Sequence, residues 1–257
     1  MRLTVLGSGT VSPSAARTSS AYWVESGEVR LLLDCGAGVL HRMASFDIAW
    51  PGVTHVAVTH FHADHWGELP AVIFALRWGA ETPRSDRLTL IGPRGFKARL
   101  EALCNAFGGW ILEPEYPLEV IELAPDDAQE IGPGVLLDCH NTPHTEESLA
   151  YSVHDQRGRM VYTGDTGPSP DLANWARGCD LLLCECSLPD DRAIDTHLSP
   201  IGAGRLARDA EAAKLVLTHF YPTVEDVDAA SIAASQFNGP IVVAADGDTF
   251  EVDKSTE

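Results

Sequence analysis

Two pairs of strand endings constrain this chain more than any other feature. Leu31-Leu32-Leu33-Asp34-Cys35-Gly36 and Met160-Val161-Tyr162-Thr163-Gly164-Asp165 each end an apolar run with an aspartate beside a glycine. Val56-Ala57-Val58-Thr59-His60-Phe61 and Leu215-Val216-Leu217-Thr218-His219-Phe220 each end one with Thr-His-Phe. Short runs rich in Val, Leu and Ile, closed by polar residues, read as buried strands. The same order in both halves, Asp and then His, points to a duplicated unit whose polar strand ends meet at one edge.

The remaining pattern is that of an α/β chain. Strands are expected at residues 3–6, 21–25, 29–33, 53–59, 88–91, 120–123, 135–139, 149–154, 160–163, 181–184, 215–218, 241–244 and 250–252. Helices are expected at 38–44, 68–78, 95–107, 170–176, 201–211 and 224–236, with Pro93 and Pro200 near helix starts, where a missing N–H does no harm. Residues 114–134, rich in Pro, Asp and Glu, read as connecting surface. A length of 257 residues, 45% of them apolar, fits one large domain or two small ones. The related halves favour a single domain spanning 1–257.

Charge and cysteine usage narrow the partners. Against 18 Lys and Arg stand 37 Asp and Glu, a net charge of −19. Such a field repels polyanions and disfavours sequence-independent binding to nucleic acid. A small-molecule substrate is the expected partner. Apolar stretches such as Leu181–Leu183 are too short to span a bilayer, and the first residues alternate like a strand rather than a signal peptide. A cytoplasmic location without membrane contact is expected. The six cysteines, at 35, 104, 139, 179, 184 and 186, form no C-x-x-C pair. Cys184 and Cys186, on one face of a strand, read as buried thiols, with a joint ligand role left open.

The densest chemical signal is Thr59-His60-Phe61-His62-Ala63-Asp64-His65, four ligand-type side chains directly after an apolar strand. Imidazole and carboxylate suit zinc and similar metals. His60 and His62 can face one ion while Asp64 and His65 turn toward a second. His144, Asp165 and His219 follow, each near a strand or loop end. Five histidines and two aspartates suffice for two ions that keep room for solvent.

His60-Phe61-His62-Ala63-Asp64-His65, followed in order by His144, Asp165 and His219, resembles the metallo-β-lactamase superfamily. Leu6-Gly7-Ser8-Gly9-Thr10, Ser12-Pro13 and Arg17-Thr18-Ser19-Ser20 resemble its ribonuclease Z-like branch of small phosphodiesterases. The resemblance implies an αββα four-layer sandwich, two mixed β-sheets flanked by helices. It implies one site from His60, His62 and His144, a second from Asp64, His65 and His219, and Asp165 bridging both. Zinc is the expected ion, with manganese or iron also compatible. Asp34 would orient the histidine loop or make a local turn with Gly36. His197, in Thr196-His197-Leu198-Ser199-Pro200, matches a histidine that protonates a leaving oxygen in that branch; a turn histidine is the alternative.

The implied activity is hydrolysis by a hydroxide bridging two metals, with Asp64 or His197 handling protons. A small phosphodiester, such as a cyclic nucleotide, is the preferred substrate, and a lactone or thioester the main alternative. A ribonuclease Z-like RNA endonuclease is less favoured, because that enzyme's transfer-RNA-gripping arm falls between the residues matching His144 and Asp165. Here a hairpin fills that interval. Diiron oxygen reductases of the same fold carry Glu where this chain has His62, and a metal-free scaffold would have eroded ligands. A homodimer is a family-level expectation.

Overall fold

Successive residues of a strand face opposite sides, so a strand that is apolar throughout needs cover on both faces. A computed structural model, which describes residues 1–254, provides that cover with two seven-stranded sheets. The first contains β1 (Arg2–Gly7), β2 (Ala21–Ser26), β3 (Val29–Leu33), β4 (His55–Ala57), β5 (Leu88–Pro93) and β6 (Leu118–Leu123). The second contains β7 (Ala128–Gly132), β8 (Val135–Asn141), β9 (Leu149–His154), β10 (Arg159–Tyr162), β11 (Leu181–Glu185), β12 (Leu215–Thr218) and β13 (Ile241–Val243). The last strand, β14 (Thr249–Glu251), returns to the first sheet and pairs with β1.

Three apolar layers follow from strand alternation. Tyr22 and Val24 of β2, with Leu31 and Leu33 of β3, face Tyr151, Val153, Leu181 and Leu183 in a core between the sheets. Trp23 and Leu32 point the other way, against α1 (Val39–Ser45), α3 (Leu69–Trp78) and α4 (Phe96–Phe107). Leu182 and Cys184 do the same in the second sheet, against α5 (Pro170–Trp175), α6 (Pro200–Asp209) and α8 (Ala229–Ala233). The short helices α2 (Ala63–Trp66) and α7 (Pro222–Glu225) belong to loops at the strand ends. The result is the αββα sandwich.

The sheets repeat one strand order. The first runs β14-β1-β2-β3-β4-β5-β6 and the second β7-β8-β9-β10-β11-β12-β13, each antiparallel up to β3 or β10 and parallel from there on. β3 and β10, which end at the two Asp-Gly motifs, therefore match. The Thr-His-Phe strands do not. β4 lies next to β3, whereas β12 is two places from β10, and β11 holds the position equivalent to β4.

Three segments differ from the sequence reading. Residues 114–134 contribute the end of the first sheet and the whole of β7, an edge strand whose alternation is diluted by charge. In place of the helix expected at 224–236 stand α7, which ends at Glu225, and α8, because Asp228 caps a new start by accepting from the Ser231 N–H. The strand expected at 53–59 keeps ladder pairing only over β4, as Val58 and Thr59 already turn toward the polar edge. All six cysteines are unpaired, and Cys184 and Cys186 lie in the outer core of the second sheet. No helix among the described residues is long and apolar enough to cross a membrane.

Gly36 fixes the distance between β3 and the histidine loop. A Cβ there would collide with the carbonyl oxygen of Asp64 and lie 2.9 Å from that of Ser20. Gly36→Ala is therefore expected to lower stability by about 1–3 kcal/mol, read as a fall in thermal midpoint, with a larger loss of bound metal than a remote mutation of equal destabilisation.

Candidate metal centre

Parallel strands deliver their following loops to one edge, and there the chain gathers its polar residues. His60, Asp64 and His65 follow β4, Asp165 follows β10, and His219 follows β12. His144 lies on the loop between β8 and β9. Asp34 and His219 both adopt left-handed backbone, with φ of 57° and 58°. Such a conformation costs on the order of 1–3 kcal/mol in a non-glycine residue and persists only where surrounding contacts enforce it.

Two donor groups meet at Asp165. In the first, His62 Nδ1 lies 3.0 Å from Nε2 of His60 and 3.0 Å from Nε2 of His144. Asp165 Oδ2 completes it, 3.7 Å from His60 Nε2 and 3.6 Å from His144 Nε2. In the second, Nε2 of His65 and His219 are 3.2 Å apart, and Asp165 Oδ1 lies 3.2 Å and 3.3 Å from them. Asp64 Oδ2 stands 3.6 Å from His219 Nε2 and 3.9 Å from His65 Nε2. Zinc–ligand bonds of about 2.0–2.1 Å in a tetrahedron give donor–donor edges of about 3.3–3.4 Å. Both groups have that scale. Asp165 Oδ1 is buried and accepts no hydrogen bond, as expected of an oxygen reserved for a cation.

The opposite ring nitrogens are held. Asp34 Oδ2 accepts from His65 Nδ1 at 2.7 Å, from the Tyr162 hydroxyl at 2.7 Å and from the Thr59 hydroxyl at 2.9 Å. The Thr59 hydroxyl proton is thus committed, and its oxygen accepts from His60 Nδ1 at 3.0 Å. Glu185 repeats this device at the end of β11. It accepts from the Ser187 hydroxyl, whose oxygen lies 2.8 Å from His219 Nδ1, and it lies 3.0 Å from His197 Nδ1. His144 Nδ1 donates to the Thr196 carbonyl at 3.0 Å. Each arrangement turns Nε2 toward the donor groups, as in ligating histidines fixed by an outer partner.

The electrostatics call for positive charge. Burial favours the neutral form of Asp165, yet His219 and His65 hold its carboxyl well below the usual range. Burial likewise opposes charge on His65, but Asp165 and Asp34 on either side override it and favour a proton there. Burial and the neighbouring His65 keep His60 neutral, the form in which imidazole binds metal.

All seven residues expected as ligands come together, and His197 joins them, close enough to group with Asp165 and His219. Burial disfavours charge on His197, but Glu185 outweighs it and raises its pKa. Glu185, Thr59, Ser187 and Thr196 were not singled out by sequence reading. Only Glu185 left a signal, a carboxylate closing the apolar run Leu181-Leu182-Leu183-Cys184. Tyr221 stands beside His197 and His219, with ring centroids 6.4 Å and 6.3 Å away. Trp66 packs on Phe61, and Trp78 joins Phe74 and Trp110 in an aromatic cluster on the outer helices. Among the described residues, no metal-spaced group includes a cysteine.

Comparison with known proteins follows the same line. A family model described as a β-lactamase superfamily domain matches residues 29–220. An uncharacterized protein of Mycobacterium leprae is 32% identical over 98% of this chain and 89% of its own. Ribonuclease Z of Haloferax volcanii is 30% identical over 98% of this chain and 95% of its own. That alignment spans 308 positions, more than the 257 residues present here, so the relative carries segments without a counterpart. The metallo-β-lactamase fold protein YhfI of Bacillus subtilis superposes with a TM-score of 0.82 at 25% identity, covering 97% of this chain and 98% of its own.

Asp34→Asn removes a charge on which Thr59, Tyr162 and His65 depend. The variant is expected to bind metal about 10–100-fold more weakly, measured by elemental analysis after dialysis against graded chelator.

Proposed function

Because the chain belongs to the metallo-β-lactamase superfamily and is a metal-dependent hydrolase of that fold, we propose that it cleaves a small phosphodiester, a cyclic nucleotide being the preferred candidate. His60, His62 and His144 would hold one divalent ion and Asp64, His65 and His219 a second, with Asp165 between the two groups. Zinc is the ion this donor set suits best, with Mn2+ or Fe2+ also accepted. When bound, such a pair supplies Lewis acidity and a lowered pKa for water.

The observation that carries the choice of substrate is the Glu185–His197 pair beside Asp165. Cleaving a P–O bond expels an alkoxide, which needs a proton as it leaves, as opening a lactone also does; a thiolate does not, so the pair weighs against a thioester. With Nδ1 tied to Glu185, His197 has Nε2 to offer that proton. Glu185 favours the protonated imidazole and fixes its aim. Asp64, kept ionised by His219 and His65 against the effect of burial, is placed to accept a proton from the attacking water.

Ribonuclease Z among the relatives supports a second reading, an RNA endonuclease. Two features weigh against it. The interval between His144 and Asp165 holds only the β9–β10 hairpin, whose turn comprises residues 155–158, and the net charge is −19. One domain spanning 1–257, a cytoplasmic location and a homodimer complete the proposal, the first supported by the matching sheets and by the return of β14.

The test is hydrolysis of bis(p-nitrophenyl) phosphate by zinc-loaded protein, beside a butyryl lactone and a thioester. The diester is expected to be cleaved, and Asp165→Ala to abolish turnover. Turnover of lactone or thioester alone would sink the phosphodiester reading. His197→Ala is expected to lower kcat on a cyclic nucleotide, whose leaving group is an alkoxide, about 10²-fold or more with two ions retained, and to slow the p-nitrophenyl diester far less, because p-nitrophenolate leaves without a proton. Glu185→Gln is expected to lower kcat on the cyclic nucleotide and to move the alkaline limb of its pH profile to lower pH, because His197 then gives up its proton more easily, while KM stays near that of the parent protein.

A further inference from the structure

The segment from Leu6 to Ser20, conspicuous in the sequence, contributes no donor atom to either metal-facing group. Ser8 and Gly9 meet the residue after His219, and the segment's side chains run to Asp246, Ala244 and Glu225 around it. We propose that Arg17, acting through Ser8 and Phe220, is a positioning residue that holds His219 in its ligating pose. The proposal rests on the dinuclear reading above.

His219 is the ligand whose backbone needs enforcement, because its φ of 58° lies in the left-handed region that a bulky residue avoids. The next residue supplies it. Phe220 donates its N–H to the Ser8 carbonyl at 2.9 Å, and Gly9 bridges both Phe220 and Ser19. Arg17 stacks its guanidinium 4.6 Å from the centroid of the Phe220 ring. One Nη1 donates to Ser8 Oγ at 2.6 Å and to the Ala244 carbonyl, and Nε donates to Glu225 Oε1 at 2.7 Å. The Arg17 side chain is only 15% exposed. Ser8 is gripped from its other side, donating its N–H and its hydroxyl to Asp246 Oδ1 at 2.9 Å and 2.7 Å. Asp246 in turn accepts from Thr18 and pairs with Arg42 at 3.2 Å.

The planar fork makes arginine specific here. It stacks on a ring while donating in its own plane to partners on three chain segments, the N-terminal loop, the residue after β13 and α7. Loss of the fork frees the Phe220 ring and leaves the Ser8 hydroxyl held by Asp246 alone, and His219 can then relax toward ordinary backbone angles. Relaxation would carry Nε2 away from Asp64 and Asp165, while His60, His62 and His144, on other loops, stay in place. The expected signature is loss at one metal site alone.

The experiment is a Zn2+ titration of stripped full-length protein against a competing chromophoric chelator, with thermal melts of the same samples. The parent protein is expected to bind two ions. Arg17→Gln is expected to weaken one affinity tenfold or more and leave the other within about twofold. Arg17→Lys should recover part of the loss. Ser8→Ala keeps the backbone carbonyl and removes the hydroxyl between Arg17 and Asp246, so it should weaken the same site, and it keeps the test open should Arg17→Gln not fold. His219→Ala combined with Arg17→Gln should lose no more than His219→Ala alone. Unchanged affinities in both variants would overturn the proposal. So would equal losses at both sites with a matching fall in melting temperature, the mark of a merely structural role. A parent protein that binds fewer than two ions would sink the dinuclear reading itself, an outcome visible before any variant is made.

Discussion

The buried carboxylate of Asp34 is the interaction on which the rest of the centre depends. It has no contact with solvent and accepts from Thr59 twice, from His65 and from Tyr162. Those partners come from the end of β4, the histidine loop and β10, so one side chain ties the first sheet to the second at the polar edge. A carboxylate taken wholly out of water is costly unless charge-assisted hydrogen bonds replace its hydration. Four donors do so here, and Asp34 reaches them only with a left-handed backbone. The geometry of the metal-facing residues is thus secured by a strained residue that binds no metal itself.

Glu185 performs the same task for the other half. Asp34 fixes His65 directly and His60 through the Thr59 hydroxyl; Glu185 fixes His197 directly and His219 through the Ser187 hydroxyl. Each buried acid therefore orients two imidazoles, one through a hydroxyl whose single proton is already committed. The functional difference is in the partner held directly. His65 faces Asp165 with a freed Nε2 and is placed to ligate, whereas His197 stands at the margin of the second group with the proton that Glu185 favours. The same hydrogen-bond device thus holds an imidazole of the donor groups in one half and an imidazole beside them in the other.

Much of this was legible in the sequence, and for physical reasons. Strands buried on both faces leave continuous apolar runs, so β3, β10, β11 and β12 are visible as such. Most of the metal-facing side chains follow parallel strand ends, and His60-Phe61-His62-Ala63-Asp64-His65 concentrates four of them in one loop, whereas His144 comes from the loop between the antiparallel β8 and β9. Elements stabilised by context were harder to see. β7 is a charged edge strand held by pairing with β8, and residues 224–236 carry a helical composition that the cap at Asp228 divides. Thr59, Ser187 and Thr196 act through hydroxyl or carbonyl oxygens, which no ligand-type motif flags. The role of the N-terminal segment was hidden for the same reason, since Arg17 and Asp246 are separated by most of the chain.

The strand order also explains why a resemblance between Thr59-His60-Phe61 and Thr218-His219-Phe220 misplaces the halves. With β3 matched to β10, the loop after β4 corresponds to the loop after β11, where Glu185 and Ser187 sit, and β12 corresponds to β5. The first half packs its ligands after a single strand. The second spreads Asp165, Glu185 and His219 over three adjacent strand ends. Asp165 lies between the two donor groups, Glu185 holds His197, and His219 belongs to the second group, so the three reach the centre from different directions. Three parallel strands about 4.8 Å apart offer those directions on a rigid frame. The asymmetry between the halves therefore brings Asp165, the Glu185–His197 pair and His219 to one centre from three adjacent strand ends.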